Sequence, residues 1–269
     1  ALPLGEEGLA LAERIGDHSA RLDLACSLAY VLTTLQRHGQ ALELLEKLRA
    51  WVEREGNATQ RQHWTTHMAL VSTGLGRLHD AVRLHEQSAQ LAQTLGLHPE
   101  RVMDYSNMAD AYSSMGRYEE ALRINTLARE LLQQESGGMA GRALLGWARD
   151  LRNAGHFDLA LRDFETWHSG LQHESSPVWR QVGAVWWAGL WVWLGQYARA
   201  LQLLQEDDPQ GLGRVRAVGH VYRAQAQKAL GQPYEASLRR ALELGGDVTG
   251  ATLALGLVAL HLQPGETAL

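Results

Sequence analysis

The chain is poor in cysteine and proline, with a single Cys26 and 6 Pro among 269 residues. One thiol excludes an internal disulfide and fits a reducing compartment. Few prolines leave long stretches in which a helix need not be interrupted. Positive charge is not in excess either: 25 Lys and Arg stand against 30 Asp and Glu, a formal net charge of −5. That balance removes the basic footprint on which general nucleic-acid affinity depends. The longest apolar run, Val182–Leu194, has 13 residues, well short of the ~20 that a membrane-spanning helix needs. The first residues, Ala1-Leu2-Pro3-Leu4-Gly5-Glu6-Glu7, lack the basic start and apolar core of a secretory leader. The expectation is a cytoplasmic protein without a membrane or nucleic-acid partner.

Catalytic signatures are missing too. There is no GxxxxGK[ST], HExxH, CxxC or GxSxG, the patterns that build phosphate loops, zinc sites and nucleophile elbows. Gly74-Leu75-Gly76 and Gly211-Leu212-Gly213-Arg214 follow no strand pattern and read as helix breaks rather than phosphate cradles. His63 and His67 lie one helical turn apart, a spacing able to ligate a metal. Two ligands with no carboxylate between them fall short of a site, so the pair reads as polar groove-side residues. Neither a metal nor a cofactor is expected. Nothing assembles a nucleophile, a base and an orienting group, and the chain reads as a non-enzyme.

What is present is helix-forming and periodic. Apolar residues make up 45% of the chain, the proportion of an ordinary folded domain. In Tyr105–Leu132, Tyr105, Met108, Ala109, Tyr112 and Met115 recur at helical spacing, Gly116 breaks the run, and Tyr118, Ala121, Leu122, Ile124, Leu127, Ala128 and Leu131 form a second stripe. This is an antiparallel helical hairpin, which cannot bury its faces alone. Second-helix alanines recur at Ala41, Ala81, Ala121, Ala160, Ala200 and Ala236, and first-helix small residues at Ala29, Ala69, Ala109, Ala148, Ala188 and Ala224. Gaps of 40, 40, 39, 40 and 36 residues are the mark of a helical solenoid.

The Leu/Met-Gly-x-aromatic/Leu-x-x-Ala-Leu pattern resembles tetratricopeptide repeats, most closely in Tyr105–Leu132 and Trp187–Leu204. The turn glycine of the first hairpin is displaced to Gly39, and the period near 40 exceeds the usual 34. Such stretched repeats resemble those of bacterial signal-transduction ATPases with numerous domains. The resemblance implies an all-α, right-handed superhelical solenoid and a single repeat domain over 1–269. Hairpins are expected over 19–55, 58–95, 100–135, 140–171, 178–205 and 214–244, with partial repeats at 6–15 and 248–269. The chain reads as a piece of a larger protein.

First helices of such hairpins line the inner face. In register, that face offers Tyr30, His67, Asn107, Asp110, Arg142, Arg149, Arg152, Trp186, Trp193 and Tyr222. Arg142, Arg149 and Arg152, at spacings of seven and three, repel one another on one helix face and would suit an anionic partner, since Arg forks bidentately to carboxylate or phosphate. An acidic neighbour such as Asp110 would serve equally. Trp186 and Trp193 on the same face would anchor a peptide or planar ligand, or else pack against the next hairpin. The function expected is therefore recognition: a scaffold or sensor module of a bacterial regulatory protein, holding a protein or peptide segment in its groove. Two other readings are a small anionic effector in the same groove and a module that self-associates into a homo-oligomer.

Overall fold

A computed structural model describes residues 2–132, 139–170, 177–205 and 213–245, the side chains of 139–143 and 214 excepted. The described residues contain helices and no strand. Their contacts fall into two compact units, Ala1–Met139 and Ala140–Leu269.

In the first unit α1 (Leu2–Ile15) leads into α2 (His18–Thr34), α3 (His38–Glu46), α4 (Arg49–Glu55), α5 (Ala58–Gly74), α6 (Leu78–Leu95), α7 (His98–Ser114) and α8 (Tyr118–Leu132). Helices pack on their sequence neighbours, and the first helices of successive hairpins also touch, α2 with α5 and α5 with α7. The second unit holds α9 (Met139–Asn153), α10 (Phe157–Ser169), α11 (Pro177–Trp193), α12 (Tyr197–Leu203), α13 (Gly213–Ala229) and α14 (Glu235–Gly245). There α11 packs on α10, α12 and α13, and α13 on α14. The expected helix at 248–262 and the Gly137-Gly138 break lie outside the described residues.

Local chemistry explains the helix ends. The Asp17 side chain accepts from the Ala20 N–H to start α2. Asn57 and Gln60 form a reciprocal capping box at the start of α5. Within the hairpins the turn is a left-handed residue at Gly76, Gly116, Gly155, Gly195 and Gly231. The following N–H reaches back five residues each time, as from Arg77 to the Ser72 carbonyl at 2.9 Å and from Gln196 to Trp191 at 2.8 Å. The first hairpin departs from expectation: Gly39 lies inside α3, and the left-handed position is Gln36 at φ 63°. Its turn is otherwise the same, with Arg37 N–H on the Leu32 carbonyl at 2.8 Å.

The alanine pairs are where the helices cross. Ala29, Ala69, Ala109, Ala148 and Ala188, with Ala41, Ala81, Ala121, Ala160 and Ala200, are wholly buried. Ala236 is not. It is exposed, and Ser237 and Leu238 point inward instead. Pro233 follows the turn, so α14 starts four residues after its left-handed glycine rather than two, which rotates its face. The second helix of the first hairpin is also split, α3 and α4 being separated at Lys47-Leu48, where the sequence suggests one helix over 40–55.

Candidate functional site

The second unit gathers five of the residues expected to face the groove. On α9, Arg149 and Arg152 stand three apart; on α11, Trp186 and Trp193 stand seven apart; Tyr222 lies on α13. The Arg149 guanidinium sits over the Trp186 ring, 4.9 Å from its centroid, within cation–π range. Its Nε donates to Asp150 Oδ1 at 2.7 Å, and Asp150 is wholly buried.

Arg152 is buried as well. Its Nη1 donates to the Trp186 carbonyl at 3.0 Å, and its Nε and Nη2 to Asn153 Oδ1 at 3.1 and 2.8 Å. The same guanidinium lies 5.7 Å from the Trp193 ring and 5.9 Å from that of Tyr222, itself buried. Space for this arrangement comes from Gly189: a Cβ there would stand 2.5 Å from Arg152 Nη1 and 2.7 Å from the Tyr222 ring. Arg152 thus ties α9, α11 and α13 together and spends its donors internally. Trp193 remains half exposed, held edge-on against Phe157 at 6.0 Å, beside the exposed Leu194. Arg142 is on α9, its side chain outside the described set.

The remaining expected residues belong to the first unit. Tyr30 on α2 is largely exposed; His67 on α5 and Asn107 and Asp110 on α7 are partly buried. His67 Nδ1 donates to the His63 carbonyl at 2.9 Å. Burial is the main influence on this imidazole and pushes its pKa down to about 4. The His63 and His67 rings meet edge to face at 4.7 Å, and His63 Nδ1 lies 3.4 Å from Asp23 Oδ1. The buried Cys26 thiol joins them: ligand atoms of Cys26, His63 and His67 all lie within 4.8 Å of one another. Burial, then the Asp23 carboxylate, pushes that thiol up to about 12.

Sequence reasoning counted only the two histidines. The register of α2 and α5, offset by 40 residues, sets Asp23 opposite His63 and Ser27 opposite His67, which points to Asp23 but not to Cys26. Sequence reasoning also missed a buried polar cluster joining α5, α6 and α7. His85 Nδ1 donates to Asp104 Oδ1 at 2.9 Å, and Thr66 and Ser88 hydroxyls meet at 2.6 Å with Gln62 donating to both. These contacts hold the first helices of neighbouring hairpins at fixed register. Among the described residues, no helix is long and apolar enough to cross a membrane.

Helical hairpins joined by a left-handed turn, with buried alanines at each crossing, define an α-helical repeat protein. Within it, residues 61–134 match the tetratricopeptide repeat family. No curated protein matches the chain. Among solved structures it resembles NprR in complex with its cognate peptide NprX, with TM-score 0.71 at 14% identity over 94% of this chain and 75% of that one. The apo quorum sensor NprR from B. thuringiensis gives 0.62 at 15% identity over 96% and 76%. A signal transduction ATPase with numerous domains from Pyrococcus horikoshii, which carries a tetratricopeptide repeat sensor, gives 0.63 at 13% identity over 94% of this chain and 39% of that one. These likenesses establish the fold as a tetratricopeptide solenoid.

Proposed function

We propose that the chain is a non-catalytic recognition module, the scaffold or sensor region of a larger cytoplasmic regulator of bacterial type, binding a protein or peptide segment along its first helices. The observation that carries this reading is Trp193. A half-exposed indole braced by Phe157 and the buried Arg152 is a rigid apolar platform whose ordering cost is already met before a partner arrives. Aromatic anchors of this kind dominate the energetics of peptide and protein interfaces. Arg149, stacked on Trp186, is ion-paired with the buried Asp150 carboxylate, so the anchor this face offers is the indole rather than a cation. The likeness to a peptide-bound repeat protein supports the same reading for the fold as a whole.

Arg149 is not a suitable site for a charge-reversal test, because a Glu there would face the buried Asp150 carboxylate. Trp193→Ala is: the residue is half exposed, so the fold survives its loss. A peptide array selected on the wild-type protein, followed by titration of the best binder, should show the variant weakened by at least ~2 kcal/mol, the loss expected of a central anchor, with far-UV circular dichroism unchanged. Equal affinity in the two proteins would move the site off this face. Stabilisation by anionic metabolites, with no peptide bound, would favour the small-effector reading instead.

A further inference from the structure

We propose that Cys26, His63 and His67 form a zinc-class metal site that bridges α2 and α5 in the first unit, with Asp23 as its supporting carboxylate. The three ligand atoms already lie within 4.8 Å of one another. Four-coordinate zinc holds its sulfur and nitrogen ligands about 2.0–2.3 Å away, hence roughly 3.3–3.8 Å from one another, so small side-chain rotations close the remaining gap. The histidines come from one face of α5 at i and i+4, and Cys26 faces them from α2.

The hydrogen bonding around the imidazoles is what a metal-ligating histidine needs. A backbone carbonyl only accepts, so the bond to the His63 carbonyl fixes the proton of His67 on Nδ1 and leaves Nε2 with the lone pair. Asp23 Oδ1 lies 3.4 Å from His63 Nδ1, near enough for a small rotation to bring it behind the second ring in the same way. A carbonyl or carboxylate behind each ring is the usual outer support of a metal-bound imidazole. Binding converts the Cys26 thiol to a thiolate and releases its proton to solvent. A divalent ion, one thiolate and one carboxylate then sum to zero charge beside two neutral rings, which limits the cost of burying the ion.

One thiolate with two imidazoles selects a borderline ion over calcium or magnesium, which take oxygen ligands. Cys26 is fully buried, whereas the side chains of His63 and Asp23 are 39% and 66% exposed, so an ion enters from the His63 side and a fourth position is left for water. The same face is the one expected to hold a partner, but the site does not depend on that reading.

The test is cobalt titration of the reduced, metal-stripped full chain. One equivalent of Co²⁺ should give a near-ultraviolet thiolate-to-cobalt charge-transfer band together with the strong visible bands of a tetrahedral site, and Zn²⁺ should bleach both stoichiometrically. The chain has one cysteine, so that band can come only from Cys26. His63→Gln and His67→Gln should each weaken binding at least tenfold, Asp23→Asn by less, and His79→Gln, exposed on α6, not at all. Cys26→Ser should abolish the band, but its burial risks the fold; the histidine variants, checked by circular dichroism, therefore decide. Cobalt binding without the charge-transfer band, affinity unchanged in both histidine variants, or no binding up to millimolar ion overturns the proposal.

Discussion

At the scale of single residues, the turn of the first hairpin departs from its siblings. Gln36 occupies the left-handed position that Gly76, Gly116, Gly155, Gly195 and Gly231 fill elsewhere. A side chain in that region costs about 1–2 kcal/mol, partly offset by the extra freedom that glycine loses on folding. Gln36→Gly should therefore raise stability by about 0.5–1 kcal/mol in urea unfolding, despite losing an exposed contact to His38. Gln36→Ala, which keeps the strain, should give no gain; a gain as large as that of glycine would show that the backbone is not strained there. His67 supplies a pH signature. Its folded pKa is near 4, below the unfolded value near 6.5, because burial disfavours the imidazolium. As pH falls, the unfolded chain takes up this proton first, so stability is full above ~6.5 and is lost progressively down to ~4. The total is about 3 kcal/mol. With a chelator present, the difference in stability between wild type and His67→Gln should change by that amount across the window; a pH-independent difference would mean that the ring is not desolvated. Neither feature is plain in the residues alone. The period shows which face a residue occupies, but not whether Cys26 lies within reach of His63 or that Asp150 takes up the charge of Arg149.

At the scale of elements, the alanine period locates the helices because small residues at crossing points are a packing requirement, repeated wherever the hairpin repeats. It fails where the chain alters the helix start. Pro233 delays α14 and turns Ala236 outward, and the Lys47-Leu48 break divides a helix whose apolar spacing is continuous across it. Of the ten residues expected to line a groove, Arg149, Arg152, Trp186, Trp193 and Tyr222 come together, yet Arg152 and Tyr222 are buried rather than groove-facing, and that burial depends on Gly189, whose missing side chain has meaning only once α9 and α13 are in place. Gly183 plays the corresponding part between α10 and α11. A Cβ at that position would run into the indole ring of Trp167, which is itself buried. Gly183→Ala should cost about 1–3 kcal/mol as an overpacking change. In a double-mutant cycle with Trp167→Leu most of that cost should vanish, since the smaller side chain leaves room for the methyl group. Additive losses would mean that the glycine acts through helix backbone rather than through the ring.

At the scale of the whole molecule, repeat proteins draw stability from each hairpin and its nearest neighbours, so no single centre holds the chain together. The first unit meets that description from its own residues. One buried cluster runs from Leu22 through Leu45, Val52 and Trp64 to Leu84, a second joins Met108, Ala109, Ala121 and Ile124, and the His85–Asp104 pair holds α6 and α7 in register between them. All of these lie within residues 1–139. A fragment ending at Met139 should consequently fold alone, with helical circular dichroism in proportion to its length and a cooperative thermal transition. It should also bind one equivalent of Co²⁺ with the thiolate band, because Cys26, His63, His67 and Asp23 are all inside it. A fragment that is helical and cooperative yet silent to cobalt would count against the metal site while leaving the fold intact. One that melts without cooperativity would show that residues beyond 139 are needed to order the first unit, and the nearest-neighbour account of its stability would then be wrong.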